Sequence, residues 1–186
     1  MWNLPNTLTL IRIGLIPVFI VVYYMPWQWS HLLSAAIFGV AALTDWVDGY
    51  LARKLGQVTP FGAFLDPVAD KLIVVAALVM LLEVRSSIWF ALPTMIIIGR
   101  ELVISALREW MAERNYREAV AVSILGKIKT WVQMFAVALL LLDFPAYPIV
   151  YQLGMVGIYI AAFFALWSML LYIKQSWPQL QGKADN

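Results

Sequence analysis

The sequence predicts an all-α, polytopic membrane protein, with six transmembrane helices around a polar cavity open to the cytoplasm. Three observations carry that expectation. Of the 186 residues, 63% are apolar and only 13% charged. A soluble domain is about half apolar and a quarter charged, so this surplus exceeds what an ordinary core can hide. That composition excludes a soluble globular enzyme. Six apolar stretches are long enough to span a bilayer, and the basic residues between them gather on one side. With no Cys in the chain, disulfides and thiolate metal sites are excluded as well.

A bilayer core of roughly 30 Å needs about 20 apolar residues in a helix. Stretches 8–25, 32–51, 67–82, 88–107, 124–142 and 147–173 supply the candidates, the third being the shortest and most interrupted. The segment Met1-Trp2-Asn3-Leu4-Pro5-Asn6 has no basic run and no small-residue cleavage site. The first span therefore reads as retained, not as a signal peptide. Neither an internal repeat nor a long linker divides the chain, so residues 1–186 are expected to form a single integral membrane domain.

With a cytoplasmic amino terminus, the outer turns fall at 26–30, 83–87 and 143–147. Of the thirteen Lys and Arg, only Arg85 lies there. This positive-inside asymmetry puts both termini in the cytoplasm and the protein in the cytoplasmic (inner) membrane. Residues 108–118, which hold Arg108, Glu109, Glu113, Arg114, Arg117 and Glu118, are expected to extend span four into water or the headgroup layer. His31, Trp27 and Trp29 at the first outer turn read as interface anchors.

Ionisable residues inside spans are costly and usually line a cavity or pathway. Spans two and three hold four carboxylates, Asp45, Asp48, Asp66 and Asp70. Spacings of three and four put each pair on one helix face. Pro67 suits the first position of span three, which makes Asp66 its expected N-cap. The run from Gly49 to Gly62 contains three glycines, Pro60, Arg53 and Lys54, and is expected to turn the chain at the cytoplasmic surface. At 1.5 Å per residue, Asp45 and Lys129 lie about 20 Å from the outer ends of their spans, Asp70 and Arg100 about 18 Å. Acids and bases from four helices thus meet at one depth, in the cytoplasmic third of the bilayer.

Four crowded carboxylates raise one another's pKa and call for cations. Oxygen ligands without Cys or a nearby His favour hard ions such as Mg²⁺ or Mn²⁺. Two such ions would suit an in-line phosphoryl transfer by holding the attacking and leaving oxygens. The small residues Gly49, Ala52 and Gly62 would let a phosphate chain approach the backbone, with Arg53 offsetting its charge.

From Asp45 to Asp70 these residues read Asp-x2-Asp-Gly-x2-Ala-Arg-x8-Gly-x3-Asp-x3-Asp. The pattern resembles the signature of the CDP-alcohol phosphotransferase family of integral membrane enzymes. The resemblance extends to Pro5-Asn6-x2-Thr9-x2-Arg12 and covers most of the chain. It implies that Asp45, Asp48, Asp66 and Asp70 hold two divalent ions, and that Asp70 is also the general base. It further implies that Asn6, Thr9, Gly49, Ala52, Arg53, Thr59 and Gly62 contact CDP-diacylglycerol. Gly99-Arg100-Glu101, Leu107-Arg108-Glu109 and Gly126-Lys127-Ile128-Lys129-Thr130 resemble the members that transfer a phosphatidyl group to sn-glycerol 3-phosphate, releasing CMP. A homodimer is implied too. Lipid and small phosphorylated molecules are the expected partners, with no nucleic acid.

The acceptor, glycerol 3-phosphate, is a dianion near neutral pH and needs cations. Arg100, Arg108, Lys127 and Lys129 are the expected acceptor-phosphate residues. They mark a phosphorylated acceptor and leave inositol phosphate as the alternative within the family. The plainer readings are snorkelling arginines, with one of Lys127 and Lys129 facing headgroups. Outside the family, buried acids also mark cation or proton transporters. Those place the acids near the midplane, often within inverted repeats, and here the acids lie off-centre with no mirrored half.

Overall fold

The computed structural model describes residues 4–55, 59–114, 124–142 and 147–181, without the side chains of 4, 5, 45–55, 60, 63 and 124–129. Six helices run in chain order: α1 Leu4–Tyr24, α2 Ser30–Leu55, α3 Pro60–Arg85, α4 Ile88–Glu113, α5 Ile124–Leu142 and α6 Pro148–Leu180. The all-α expectation holds throughout the described residues. Among them, α1, α4 and α6 are long and apolar enough to cross a membrane. α3 is as long as α4 but carries Asp66, Asp70, Lys71, Glu83 and Arg85. The described apolar parts of α2 and α5 are shorter, Ser30–Thr44 and Thr130–Leu142.

The outer surface is apolar on every helix. Val21, Leu43, Val79, Met95, Phe135 and Phe163 are all more than half exposed. In water such a surface would drive aggregation, whereas lipid solvates it at no cost. This is a membrane protein, and its interior is built to match. The buried face of α6 runs through Gly154, Ile158, Ala161, Ala165, Ser168, Tyr172 and Ser176. Small residues on that stripe let α5 approach closely. A Cβ on Gly157 would come within 2.7 Å of the Ala136 Cβ. α6 also packs on α4, while α1 packs on α2 and α3.

The start of α3 differs from the reading of Pro67 as its first residue. The helix does not begin at Pro67 with Asp66 as its cap; it begins two turns earlier, at Pro60. Thr59 is the N-cap, its side-chain oxygen accepting from the Gly62 N–H at 3.0 Å. Both Xaa-Pro steps pair a cap oxygen with a residue that has no N–H to lose, and the chain uses the earlier one, which leaves the Asp66 carboxylate free of capping duty. Pro67 is carried inside the helix, and both acids lie within it. The turn expected across 49–62 is correspondingly shorter, because α2 continues to Leu55.

At its other end α3 stops at Ser86, which takes the left-handed conformation (φ 42°) and returns its N–H to Leu82 O. Only Ser86 and Ser87 separate α3 from α4. Counted from that turn at 1.5 Å per residue, Asp70 lies about 22 Å along α3 and Arg100 about 18 Å along α4. The hairpin sets acids and bases opposite one another. Of the extension expected over 108–118, α4 supplies the part up to Glu113, where Arg114 caps it; the segment from residue 115 lies outside the described residues.

Candidate functional site

A cavity of about 350 Å³ opens between α3, α4, α5 and α6. Its floor is apolar, formed by Val74, Leu78 and Ile97. Asp66 and Asp70 extend the same α3 face by the i, i+4 rule, so the stripe that packs the core also carries the acids to the cavity. On α4, Arg100 and Arg108 are eight residues apart, again on one face, and both line it. Thr130, Gln133 and Met134 contribute from α5, and Tyr172 from α6. An acidic wall thus faces a basic one, the arrangement expected from the two sets of spacings.

Asp66 is held from outside the cavity. The hydroxyl of Thr9 on α1 donates to its Oδ1 at 2.5 Å. Thr9 is fully buried and Asn6 nearly so, three residues apart on one face of α1. The Thr59 hydroxyl donates to Asn6 Oδ1 at 3.1 Å while accepting from the Gly62 N–H. A Cβ on Gly62 would stand 2.5 Å from Asn6 Oδ1. Glycine at this position is therefore a matter of space. Thr9 with Asp66, and Asn6 with Thr59 and Gly62, are two bonded groups that together tie the start of α1 to the start of α3.

Arg100 and Arg108 are held differently. Arg100 Nη1 pairs with Glu101 Oε1 at 2.9 Å, so part of its charge is already offset. Arg108 Nη2 donates to the Tyr172 hydroxyl at 3.1 Å, and its guanidinium lies 5.4 Å from the ring centroid. Tyr172 is 5% exposed, which makes it a rigid support for an otherwise exposed arginine. A second, smaller cavity of about 220 Å³ shares both arginines and is also lined by Lys71, which donates to Ser105.

The side chains of Asp45, Asp48, Gly49, Ala52, Arg53, Lys127 and Lys129 lie outside the described residues. Among the described ones, no three His, Cys, Asp or Glu side chains gather as a metal site; the carboxylates lining the cavity are Asp66 and Asp70 on α3 and, on α4, Glu101, which is paired with Arg100. Oxygen donors on one face of a polar cavity nevertheless suit a hard divalent ion. Glu101 and Thr130 come from the sequence motifs without an assigned role, whereas Gln133 and Tyr172 are cavity residues that no motif contains. The signal for Tyr172 is its place on the α6 stripe of small buried residues, seven positions after Ala165.

Comparison with known proteins adds the following. Residues 2–167 match the family described as CDP-alcohol phosphatidyltransferase. The chain is 49% identical over 180 residues to the CDP-diacylglycerol–glycerol-3-phosphate 3-phosphatidyltransferase of Pseudomonas fluorescens, covering 96% of this chain and 92% of that one. It is 52% identical over 172 residues to the proteins of the same name from Salmonella typhimurium and Escherichia coli, covering 92% of this chain and 93% of theirs.

Proposed function

The chain belongs to the CDP-alcohol phosphatidyltransferase family, and we propose that the cavity between α3 and α4 is its active site. The reaction is transfer of a phosphatidyl group from CDP-diacylglycerol to sn-glycerol 3-phosphate, giving phosphatidylglycerophosphate and CMP. One observation supports the site above all: Asp66 and Asp70 share a cavity with Arg100 and Arg108. A dianionic acceptor and a base to activate it are both provided for.

Asp70 takes the proton from the acceptor hydroxyl, whose oxygen attacks the phosphorus bearing the diacylglycerol. The bond from that phosphorus to the bridging oxygen breaks, and CMP leaves. Arg100 and Arg108 hold the acceptor's own phosphate by charge-assisted hydrogen bonds, joined by Lys127 and Lys129. Asn6, Thr9, Thr59 and Gly62, with Gly49, Ala52 and Arg53, shape the CDP-diacylglycerol end. The family generally depends on divalent metal. Asp45, Asp48, Asp66 and Asp70 would hold two ions, Mg²⁺ or Mn²⁺. Bound there, they would offset the charge of the diphosphate and of the leaving oxygen.

We read residues 1–186 as one domain, with all six helices spanning the cytoplasmic membrane and the chain working as a homodimer. Among the described residues the basic side chains other than Arg85 belong to the cavity half of their helices, which supports both termini being cytoplasmic. Arg85, the exception, lies at the far end of α3, 4.5 Å over the Tyr151 ring. The test is CMP release from CDP-diacylglycerol in detergent, with glycerol 3-phosphate, inositol phosphate or serine as acceptor. Release is expected with glycerol 3-phosphate alone, to stop with EDTA and to return with Mg²⁺ or Mn²⁺. Release driven by inositol phosphate instead would reassign the acceptor.

A further inference from the structure

We propose that Gln133 is the residue that reads the C2 hydroxyl of the acceptor, an inference that rests on the cavity being the active site. Gln133 is only 5% exposed, yet it lines the cavity from α5. Its Oε1 is buried and has no hydrogen-bond partner among the described residues. Its neighbours on the buried face of α5, Ala136 and Val137, offer no polar group to satisfy it. Buried amide oxygens are nearly always paired, so an unpartnered one on a side chain that lines a cavity marks an amide whose bonding a ligand group can complete once the side chain turns toward it.

The chemistry of the acceptor fits the vacancy in that bonding pattern. Its phosphate is drawn to Arg100 and Arg108, and its reacting hydroxyl belongs beside Asp70. Between these two ends the molecule carries one further polar group, the hydroxyl on C2. That group is neutral, and a neutral amide bonds it without adding a charge that would compete for the acceptor's phosphate or for the acids. Gln133 is the buried neutral amide on the cavity wall, on a helix separate from both the acids and the arginines. A hydroxyl both donates and accepts, so it satisfies either end of the amide. A site built to bond a hydroxyl discriminates strongly against an acceptor that lacks it, because the protein group is then left unpaired.

The experiment compares sn-glycerol 3-phosphate with 3-hydroxypropyl phosphate, which lacks only the C2 hydroxyl, in wild type and in Gln133→Met. The wild type should favour glycerol 3-phosphate by roughly 100-fold or more in kcat/KM. Gln133→Met should bring that ratio to within about 5-fold, with the KM for CDP-diacylglycerol unchanged. The ratio does not depend on how much of the variant is active. An apolar side chain of similar length in place of an unpaired amide should leave the protein folded and at least as heat-stable. Three results would overturn the proposal: a wild-type ratio near one, an unchanged ratio in Gln133→Met, or a Gln133→Met protein that does not fold. A wild type that releases no CMP with glycerol 3-phosphate would defeat the active-site reading itself; an unchanged ratio defeats only the role of Gln133.

Discussion

Thr9 on α1 donates a 2.5 Å hydrogen bond to Oδ1 of Asp66 on α3, joining residues 57 positions apart. The bond fixes the carboxylate's orientation without consuming its second oxygen. It also explains why a buried threonine sits where an apolar side chain would pack as well.

Thr9→Val keeps the shape and removes the donor. Partners that orient a ligating carboxylate are typically worth 10–100-fold in metal affinity or activity. The Mg²⁺ concentration giving half-maximal CMP release should therefore rise by roughly that factor, while Thr9→Ser stays near wild type. An unchanged Mg²⁺ requirement in Thr9→Val would separate Asp66 from the metal.

Gly62→Ala tests the junction of α1 and α3. The added methyl would stand 2.5 Å from Asn6 Oδ1 and 3.2 Å from Thr59 Oγ1. The Asn6 side chain would swing away, breaking its bond from Thr59 and loosening the cap of α3. A lost cap costs about 1 kcal/mol, so thermal stability should fall and the KM for CDP-diacylglycerol should rise. Because the clash runs through Asn6, adding Asn6→Ala should cost less than the sum of the two changes. Strict additivity would show that the two residues act apart.

The sequence makes some of this legible and hides the rest for physical reasons. Asp66 and Asp70 share a face wherever their helix starts, because a spacing of four is local. Where the helix starts is a contest between two Xaa-Pro steps, and only the structure shows Thr59 winning it. Arg100 and Arg108 are legible as a pair for the same local reason. Gln133 and Tyr172 are not, since their value depends on α5 and α6 packing against the cavity, and nothing in a lone Gln or Tyr announces that. The charge asymmetry and apolar surplus are sums over the whole chain, so the membrane class survives errors in individual helix ends.

Tyr172→Phe isolates the support of Arg108. The ring stays, and with it the contact to the guanidinium 5.4 Å away, but the hydroxyl that accepts from Nη2 is gone. A hydrogen bond to a charged group contributes about 1.5–3 kcal/mol, less here because Arg108 is exposed to water that can replace it. The KM for glycerol 3-phosphate should rise about 3- to 10-fold with kcat little changed, the pattern of lost acceptor binding. A change confined to CDP-diacylglycerol would move Arg108 out of the acceptor pocket.

Asp70→Asn removes the proton acceptor while preserving the shape and most of the hydrogen bonding of the side chain. General-base catalysis typically contributes 10²–10⁴-fold, and the same change removes one negative charge from the proposed metal site. CMP release should therefore fall by about 10³-fold or more, with fold and thermal stability retained. If Asp70 is mainly the base, CDP-diacylglycerol should still protect the variant against heat in the presence of Mg²⁺. If it is mainly a metal ligand, that protection should vanish together with turnover. Near wild-type turnover would exclude both roles, because no other carboxylate sits one turn from Asp66 on the cavity face of α3.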